Sequence, residues 1–252
     1  MKKLERSLYA LAAVGVIIVI AVNVHFYRVR QYQDYLRSLG LHQAAIHHPE
    51  LIPEILKLGA DINALNKEGY TALHLAATFK KIESVETLLK LGADPDVKCH
   101  KDRINPTVLH RATFTLNDAK QVRMTILLLE AGADPNVVTS EIETPLLRLA
   151  GTSHSFSVSV AQELISAGAD VNIADSRGMT PLQYAVARRN PQLADVLLQA
   201  GADPEQRNDA GFRAIDQLNL VPNPEAMQKI FEKHGADSVR RPELFTKYRK
   251  EK

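Results

Sequence analysis

The sequence predicts an all-α solenoid, a row of stacked helix-turn-helix units that follows an N-terminal transmembrane helix. One observation is an internal repeat: Gly-Ala-Asp recurs at spacings of 33 to 40 residues, beginning at Gly59, Gly92, Gly132, Gly168, Gly201 and Gly235. A second is an uncharged apolar run near the N-terminus, from Leu8 to Val22. A repeat of this length forms a small structural unit that buries its apolar side chains only by stacking on its neighbours.

The composition of the chain excludes several classes of protein. Of its 252 residues, 45% are hydrophobic and 24% are charged, which is outside the range of disordered chains. A single cysteine cannot form an intrachain disulfide or a zinc site built from two or more thiolates. The 31 basic residues nearly balance the 29 acidic ones, so the net charge gives no argument for binding nucleic acid.

The N-terminal segment is predicted to be a membrane anchor. Residues 1–6 form a basic tail, and residues 7–27 contain no charged side chain. At a helical rise of about 1.5 Å per residue, this second stretch spans roughly 30 Å, the thickness of the hydrocarbon core of a bilayer. Tyr9, Phe26 and Tyr27 suit the aromatic belts at its two ends. A cleaved signal peptide is the competing interpretation, but no small-x-small cleavage site follows the run.

The charges that flank the anchor predict the side of the membrane on which the body lies. Basic residues occur on both sides, so the positive-inside count is nearly a tie. A very short basic tail ahead of an uncleaved run usually stays inside, and a Lys-Lys start looks like a bacterial export signal. We therefore expect a single pass through a bacterial inner membrane, with the body in the periplasm and residues 28–40 forming a helical stalk.

The body of the chain, residues 41–236, is predicted to contain about six units. A second signature recurs between the Gly-Ala-Asp tripeptides: TALHLA from Thr71, TVLHRA from Thr107, TPLLRL from Thr144 and TPLQYA from Thr180. A short helix opens at each signature, and a second helix follows with apolar residues at helical spacing. Glycine then ends that helix as a left-handed cap, and a polar turn leads to the next unit. Residues 237–252 form a basic C-terminal tail.

These motifs resemble the ankyrin repeat family, whose T-P-L-H-x-A signature and 33-residue period they match. The resemblance implies helix-turn-helix units with β-turn fingers between them. It also implies that the motif histidines His42, His74 and His110 brace the preceding turn. The last unit departs from the pattern, since Arg213 and Asp216 replace the threonine and the histidine. Such a departure is expected of a terminal, capping unit.

Three loops are longer than their siblings. The loop from Lys98 to Ile104 carries three extra residues, and further insertions lie between the helices near residues 116–118 and 153–159. Insertions in adjacent repeats often contact a particular partner, but neutral drift explains them equally well because surface loops tolerate added length. Both interpretations stay open. Cys99, on the first of these loops, is expected to be exposed to solvent.

No catalytic, cofactor-binding or metal-binding site is predicted. Cys99, His100 and His110 are close in sequence, but no third partner or oxyanion hole accompanies them. Ser153 and His154 fall in an inter-helix insertion, where an isolated serine is ordinary. None of the repeated glycines precedes the Lys-Ser/Thr pair of a phosphate loop. The aspartates of the Gly-Ala-Asp motifs are interpreted as loop-bracing carboxylates.

The predicted site is a protein-binding surface. In proteins that this chain resembles, partners dock on the concave side, which the turn tips and the first helices form. Arg, Tyr, Phe and Met anchor interfaces, and an excess of basic over acidic residues at these positions indicates an acidic patch on the partner. An ordinary solvated face is the alternative interpretation. The predicted partner-binding residues are Tyr70, Phe79, Lys101, Arg103, Arg111, Phe114, Arg148, Arg177, Tyr184 and Arg188.

The sequence therefore predicts a membrane-anchored protein that binds another protein and is not an enzyme. Some bacterial ankyrin proteins that look like this act as immunity proteins, which block a secreted toxin or phospholipase effector before it damages the envelope. An outward-facing solenoid on the membrane suits that role. The alternative is a membrane-tethered scaffold or assembly factor that recruits an envelope or cytoplasmic protein. An enzyme hidden in the inserted loops is a third hypothesis, which would require Cys99 or His154 for turnover.

Overall fold

The structure is a computed structural model that describes residues 2–99, 101, 106–115, 119–140, 142–152, 157–220 and 224–236. For residues 2–21, 115, 219 and 220 it describes the backbone alone. The predicted basic tail at residues 237–252 lies outside these ranges.

Helices are the regular elements of the described residues, which contain no β-strand, as the sequence predicts. In chain order the α-helices are α1 Lys2–His47, α2 Ile52–Lys57, α3 Ala72–Thr78, α4 Ile82–Lys90, α5 Val108–Thr115, α6 Ala119–Glu130, α7 Pro145–Ala150, α8 Ser157–Ser166, α9 Pro181–Ala187, α10 Pro191–Gln199 and α11 Glu225–Lys233. Two 3-10 helices occupy Pro49–Leu51 and Ile215–Leu220.

The helices pack in two rows, which confirms the predicted solenoid. The end of α1, then α3, α5, α7, α9 and the second 3-10 helix form the first row, while α2, α4, α6, α8, α10 and α11 form the second. One helix of each row makes a unit, so that α3 with α4 is unit two and α9 with α10 is unit five. Ala72, Ala76 and Ala112 are buried between first helices, where their small side chains allow close approach.

Threonine and proline determine where each first helix begins. Thr71, Thr144 and Thr180 are N-caps whose hydroxyl oxygens accept a hydrogen bond from the backbone N–H three residues later. Pro145 and Pro181 follow at the first helical position. A backbone N–H at that position has no hydrogen-bond acceptor within the helix, so proline costs no hydrogen bond there. The T-P-L motif is therefore a helix start.

The helix α1 runs directly into the first unit. It departs from helical geometry at Gly40, with φ 70° and ψ 157°. Leu36, before this break, is 2% exposed and belongs to the core of the solenoid. Tyr32 Oη donates a 2.8 Å hydrogen bond to Glu54 Oε2 of α2. The C-terminal part of residues 28–40 thus packs on the first unit rather than standing apart from it.

The segment predicted to be a membrane anchor, residues 7–27, is helical in its backbone as part of α1. Most of it falls on residues 2–21, whose side chains the structure does not describe. Among the described residues, no helix combines the length and the apolar character that crossing a membrane requires.

The aspartate of each Gly-Ala-Asp motif braces its own loop, as predicted. One side-chain oxygen accepts a hydrogen bond of 2.8–2.9 Å from the backbone N–H two residues later, in Asp61, Asp94, Asp134, Asp170 and Asp203. These carboxylates satisfy backbone donors that would otherwise need water. They are structural groups of the loops.

Asparagine side chains join the loops of consecutive units. Asn136 accepts a hydrogen bond of 2.8 Å from a backbone N–H of the next unit and donates one of 3.0 Å to a glycine carbonyl there. Asn172 repeats both contacts one unit later. Asp96 holds the same place one unit earlier and accepts from the N–H of Asp134, but a carboxylate has no N–H to donate. Burial and the nearby carboxylates of Asp134 and Asp94 raise the pKa of Asp96.

The substitution Asp96→Asn is expected to stabilise the protein by about 1 kcal/mol. The amide keeps the acceptor for Asp134, adds a donor for the carbonyl of Gly132 and removes a charge next to two other acids. The midpoint of urea denaturation at neutral pH is the measurement. Asp170→Asn is the control, because that carboxylate accepts from a backbone N–H of its own loop. An Asp96→Asn midpoint at or below that of the unchanged chain would contradict the expectation.

The last unit replaces the threonine-histidine pair by an arginine-aspartate pair. Arg213 is 4% exposed, and its Nη2 and Nε lie 2.9 Å and 3.1 Å from the two carboxylate oxygens of Asp216. The same carboxylate accepts from the backbone N–H of Arg213, and Glu205 accepts from Nη1 at 3.0 Å. Burial alone would raise the pKa of Asp216, but the hydrogen bonds from Arg213 outweigh it and lower that pKa.

Candidate protein-binding surface

The turns between units lie beside the first helices, on the side where partner binding is predicted. We call the surface formed by these turns and by α3, α5, α7 and α9 the inner face. Each turn is closed from within: Asn66 N–H donates to Tyr70 O at 2.9 Å, and Asp175 N–H donates to Met179 O at 3.0 Å. The Asn66 and Asp175 side chains each accept two further backbone N–H groups of their turns. These two turns are therefore ordered by their own hydrogen bonds.

The predicted exposure of Cys99 is wrong. Its side chain is 1% exposed, and its backbone N–H donates to Pro106 O at 2.6 Å, which closes the lengthened turn at its base. Asn66 and Asp175 hold the same base position in the sibling turns. The thiol is covered because the preceding turn packs against it: a Cβ on Gly69 would lie 3.6 Å from the sulfur.

The motif histidines brace the following turn, so the expectation that they brace the preceding one is wrong. His74 Nδ1 lies 2.8 Å from Thr71 Oγ1, and Nε2 lies 3.3 Å from the Pro106 carbonyl oxygen in the next unit. His110 repeats this arrangement, with Nε2 3.1 Å from the Glu143 carbonyl oxygen. Nε2 must donate to that carbonyl, so Nδ1 accepts from the threonine hydroxyl and the ring is neutral. Burial lowers the pKa of His110 to about 4.

The candidate reactive side chains form no catalytic group within the described residues. Both ring nitrogens of His110 are used in hydrogen bonds that hold the stack together. Cys99 is buried at the base of its turn. No cluster of three or more His, Cys, Asp or Glu side chains suited to a metal ion occurs in the part of the chain that the structure describes. Residues outside that part include His100, Ser153 and His154.

Two of the predicted contact arginines lie over aromatic rings of the preceding unit. The guanidinium carbon of Arg111 is 4.9 Å from the centroid of the Tyr70 ring. That of Arg148 is 4.3 Å from the centroid of the Phe114 ring, and its Nη1 pairs with Glu143 at 2.6 Å. Only 8% of Arg111 and 9% of the Arg148 side chain are exposed. Both arginines connect consecutive units and leave little of their own surface to a partner.

The exposed part of the predicted surface is aromatic and basic. Phe79 and Phe114 are 53% and 43% exposed, and 68% of the Arg177 side chain is exposed. Aromatic rings and arginine side chains are enriched among the residues that dominate binding at interfaces. Of the other predicted residues, Lys101 and Arg188 are exposed, Tyr70 and Tyr184 are half-buried, and Arg103 lies outside the described residues.

A polar cluster holds Tyr184 and Arg177 in place in unit five. Tyr184 Oη donates to Asp175 Oδ2 at 2.7 Å, and Arg177 Nη2 contacts both groups. Burial, together with the Asp175 carboxylate, raises the pKa of Tyr184 to about 12, so the phenol is neutral. Burial opposes the ionisation of Asp175, yet hydrogen bonds from Tyr184 and from backbone N–H groups lower its pKa. The cluster fixes one guanidinium group whose outer side is open to solvent.

Ile142, at the tip of the turn in unit four, was not among the predicted residues. It has φ 60° and is 51% exposed. The sibling turns carry Gly69, Gly178 and Gly211 at this position, with φ between 70° and 83°. The signal was present in the sequence, because the Asp/Asn-x-x-Gly turn of the other units reads Thr-Ser-Glu-Ile in unit four.

Comparisons with known proteins agree with this architecture. A family model described as "Ankyrin repeats (3 copies)" matches residues 30–99 and 109–208. The crystal structure of an ankyrin repeat domain from Acinetobacter baumannii AYE is similar, with a TM-score of 0.69 and 28% identity over 79% of this chain and 100% of that one. Neurogenic locus notch homolog protein 1 of Mus musculus is 32% identical over 162 residues, 64% of this chain and 6% of that protein. NF-kappa-B inhibitor delta of Mus musculus is 29% identical over 220 residues, 75% of this chain and 64% of that protein.

The matches differ in the share of each protein that they cover. The chain spans only 6% of the length of the notch relatives that it matches. The matching family is generally one of protein-interaction scaffolds, and the matches indicate no catalytic family. The family model covers more than half of the chain. This chain therefore belongs to the ankyrin repeat family.

Proposed function

We propose that this chain binds a secreted toxin through its inner face and neutralises it in the periplasm, while residues 7–27 hold the chain at a bacterial inner membrane. The exposed aromatic and basic surface of Phe79, Phe114 and Arg177 carries the binding proposal. Membership in a family of interaction scaffolds supports the same activity. One relative, NF-kappa-B inhibitor delta, is by its name an inhibitor of another protein.

The inner face is suited to inhibition because it is ordered before a partner arrives. Hydrogen bonds close the turns of units two and five, and the Arg111–Tyr70 and Arg148–Phe114 pairs connect neighbouring units. A preorganised surface loses little conformational entropy on binding, which favours affinity. It also changes little in backbone conformation. Blocking another protein requires no chemistry beyond such a surface.

The anchor would hold this surface close to the bilayer. From Tyr27, at the end of the apolar segment, to the buried Leu36 is nine residues, or about 14 Å of helix. The Tyr32–Glu54 hydrogen bond then joins the helix to α2. A solenoid held at this distance would meet a toxin or phospholipase effector where that protein reaches the membrane.

The expected partner surface is acidic. Arg111 and Arg148 are largely covered, so the basic character of the inner face rests on Lys101, Arg177 and Arg188. Asp175, the acid next to Arg177, is buried and paired. Asp175 pairs with the inner side of the Arg177 guanidinium, and the outer, exposed side is open to a carboxylate of the partner.

The test is a binding measurement with a purified toxin encoded beside the gene of this chain. We expect the Arg177→Ala/Arg188→Ala chain to bind about tenfold more weakly than the unchanged chain in isothermal titration, a loss of about 1.4 kcal/mol. Lys57→Ala/Lys90→Ala removes the same charge from exposed positions on the second helices and should leave the affinity unchanged. Equal loss in both variants would contradict binding by the inner face, and no binding to the toxin would contradict the toxin as partner.

A further inference from the structure

The turn of unit four combines two unfavourable features that its siblings avoid. Ile142 adopts a left-handed backbone, φ 60°, in which a β-branched side chain is strained. At 51% exposure, much of that side chain lies in water rather than in the core. Strained and exposed apolar residues that persist in a folded protein point to a use outside folding.

Glycine, which has no side chain, occupies this position in the sibling turns. In unit five a Cβ on Gly178 would lie 2.8 Å from Asp209 Oδ1, so glycine is needed there for the next turn to pack closely. In the last unit a Cβ on Gly211 would meet nothing within 4 Å. In these two sibling units, therefore, glycine at the turn position fits against the residues around it. The presence of isoleucine at position 142 therefore needs another explanation.

Two further exposed apolar side chains are connected to Ile142, one along the chain and one through the contacts of Glu143. Val138, which precedes the same turn, is 40% exposed. Glu143, the next residue after Ile142, forms the 2.6 Å ion pair with Arg148. That guanidinium lies over the ring of Phe114, which is itself 43% exposed. Ile142 and Phe114 therefore flank one neutralised ion pair, and we call Val138, Ile142 and Phe114 the apolar patch.

The basic side chain of Arg177 in unit five is connected to the turn of Ile142 through Tyr184. Glu143 lies close enough to Tyr184 to affect its ionisation, and the Tyr184 hydroxyl contacts Arg177. Arg177 is 68% exposed, and Arg188 and Arg189 at the end of α9 are exposed as well. Arg189 also has a left-handed backbone, with φ 57°. The exposed guanidinium of Arg177 is thus connected through Tyr184 to Glu143, the residue next to Ile142.

We infer that Ile142 is a partner-contact residue and that the segment it binds carries a large apolar side chain next to an aspartate or glutamate. The apolar side chain would pack on the apolar patch, and the carboxylate would reach Arg177 or Arg188. This inference rests on the proposed binding function, because it specifies which part of the partner the inner face recognises.

The test separates stability from binding in one variant, Ile142→Gly. Glycine relieves the strain of the left-handed backbone and removes the contact, so the urea midpoint should rise while binding weakens at least tenfold. The probe is a dodecapeptide selected from a random phage-displayed library on the full chain. We expect selected peptides to pair Leu, Ile, Phe or Met with Asp or Glu, and to lose affinity for Arg177→Ala. Leu91→Ala, which shortens an exposed apolar side chain at the end of α4 in the second row of helices, is the control and should bind as the unchanged chain does.

Several results would overturn the inference. Peptides that bind the Ile142→Gly chain as tightly as the unchanged chain would exclude Ile142 as a contact while leaving the binding function intact. Selected peptides without acidic residues would contradict the stated partner chemistry. A lower urea midpoint for Ile142→Gly would show that isoleucine serves the fold. A library from which no peptide is enriched would count against the binding function itself.

Discussion

Replacing Arg213 by alanine is expected to lower the free energy of unfolding of the last unit by about 3–5 kcal/mol. The carboxylate of Asp216 is buried, and Arg213 is the cation that holds its pKa low, through contacts of 2.9 Å and 3.1 Å. Without the guanidinium, a charged group would remain in the interior with its main partner gone. Stability in a solenoid is a sum of unit and interface terms, so the loss should concentrate in unit six. Urea denaturation and amide hydrogen exchange of α11 measure it.

Two further variants test the specificity of this effect. Arg207 lies 4.0 Å from Asp216 with 38% of its side chain exposed, so Arg207→Ala should change stability by less than about 1 kcal/mol. Combining Arg213→Thr with Asp216→His rebuilds the threonine-histidine pair of units two and three, and should recover most of what either change alone loses. If Arg213→Ala behaved like Arg207→Ala, the buried pair would not be what holds the last unit.

A second large effect is expected on the pH dependence of stability. His110 is fully buried, and its pKa of about 4 lies below the usual 6.5 of an unfolded chain. The unfolded chain therefore takes up the proton first. The stability that neutral His110 contributes is present above about pH 6.5 and is lost as the pH falls toward 4, a difference of about 3 kcal/mol.

A glutamine at the histidine position of another unit shows which substitution would isolate the contribution of His110 to the pH dependence. Gln183 occupies the histidine position of unit five and donates to the Phe212 carbonyl of the next unit at 2.8 Å, without a group that titrates. His110→Gln should keep the contact between units and flatten the stability profile between about pH 4 and pH 6.5. His47→Gln removes an exposed histidine and should leave the profile as it is. The same slope in His110→Gln as in the unchanged chain would assign the pH dependence to another group.

The fold could be predicted from the sequence because each unit is a local structure. The threonine of the T-P-L motif caps a helix that begins at the next residue. The aspartate of Gly-Ala-Asp accepts a hydrogen bond from the backbone N–H two residues later. Such contacts appear at fixed short spacings in the sequence. The contacts that were mistaken cross between units, since His74 reaches Pro106 and Cys99 is covered by the turn at Gly69. Their partners lie about one repeat period away in the sequence. At that distance, sequence spacing alone does not show whether a side chain contacts the preceding unit or the following one.

The candidate site was predictable as a surface but not as a set of contacts. The repeat register assigns Arg111 and Arg148 correctly to the first helices. It does not show that they stack on Tyr70 and Phe114 and become covered. Ile142 could have been found by aligning the turns, because it stands where the siblings have glycine.

An outward-facing, membrane-held binding surface is tested most directly by labelling one cysteine in intact cells. Cys99 is buried and unsuitable, so the full chain would carry Cys99→Ala with Ser140→Cys, which lies on an exposed turn of the inner face. The unchanged chain, with its covered thiol, is the control for background. We expect a membrane-impermeant maleimide to label the variant in the membrane fraction of intact spheroplasts. Labelling only after lysis, or recovery of the chain in the soluble fraction, would contradict the proposal.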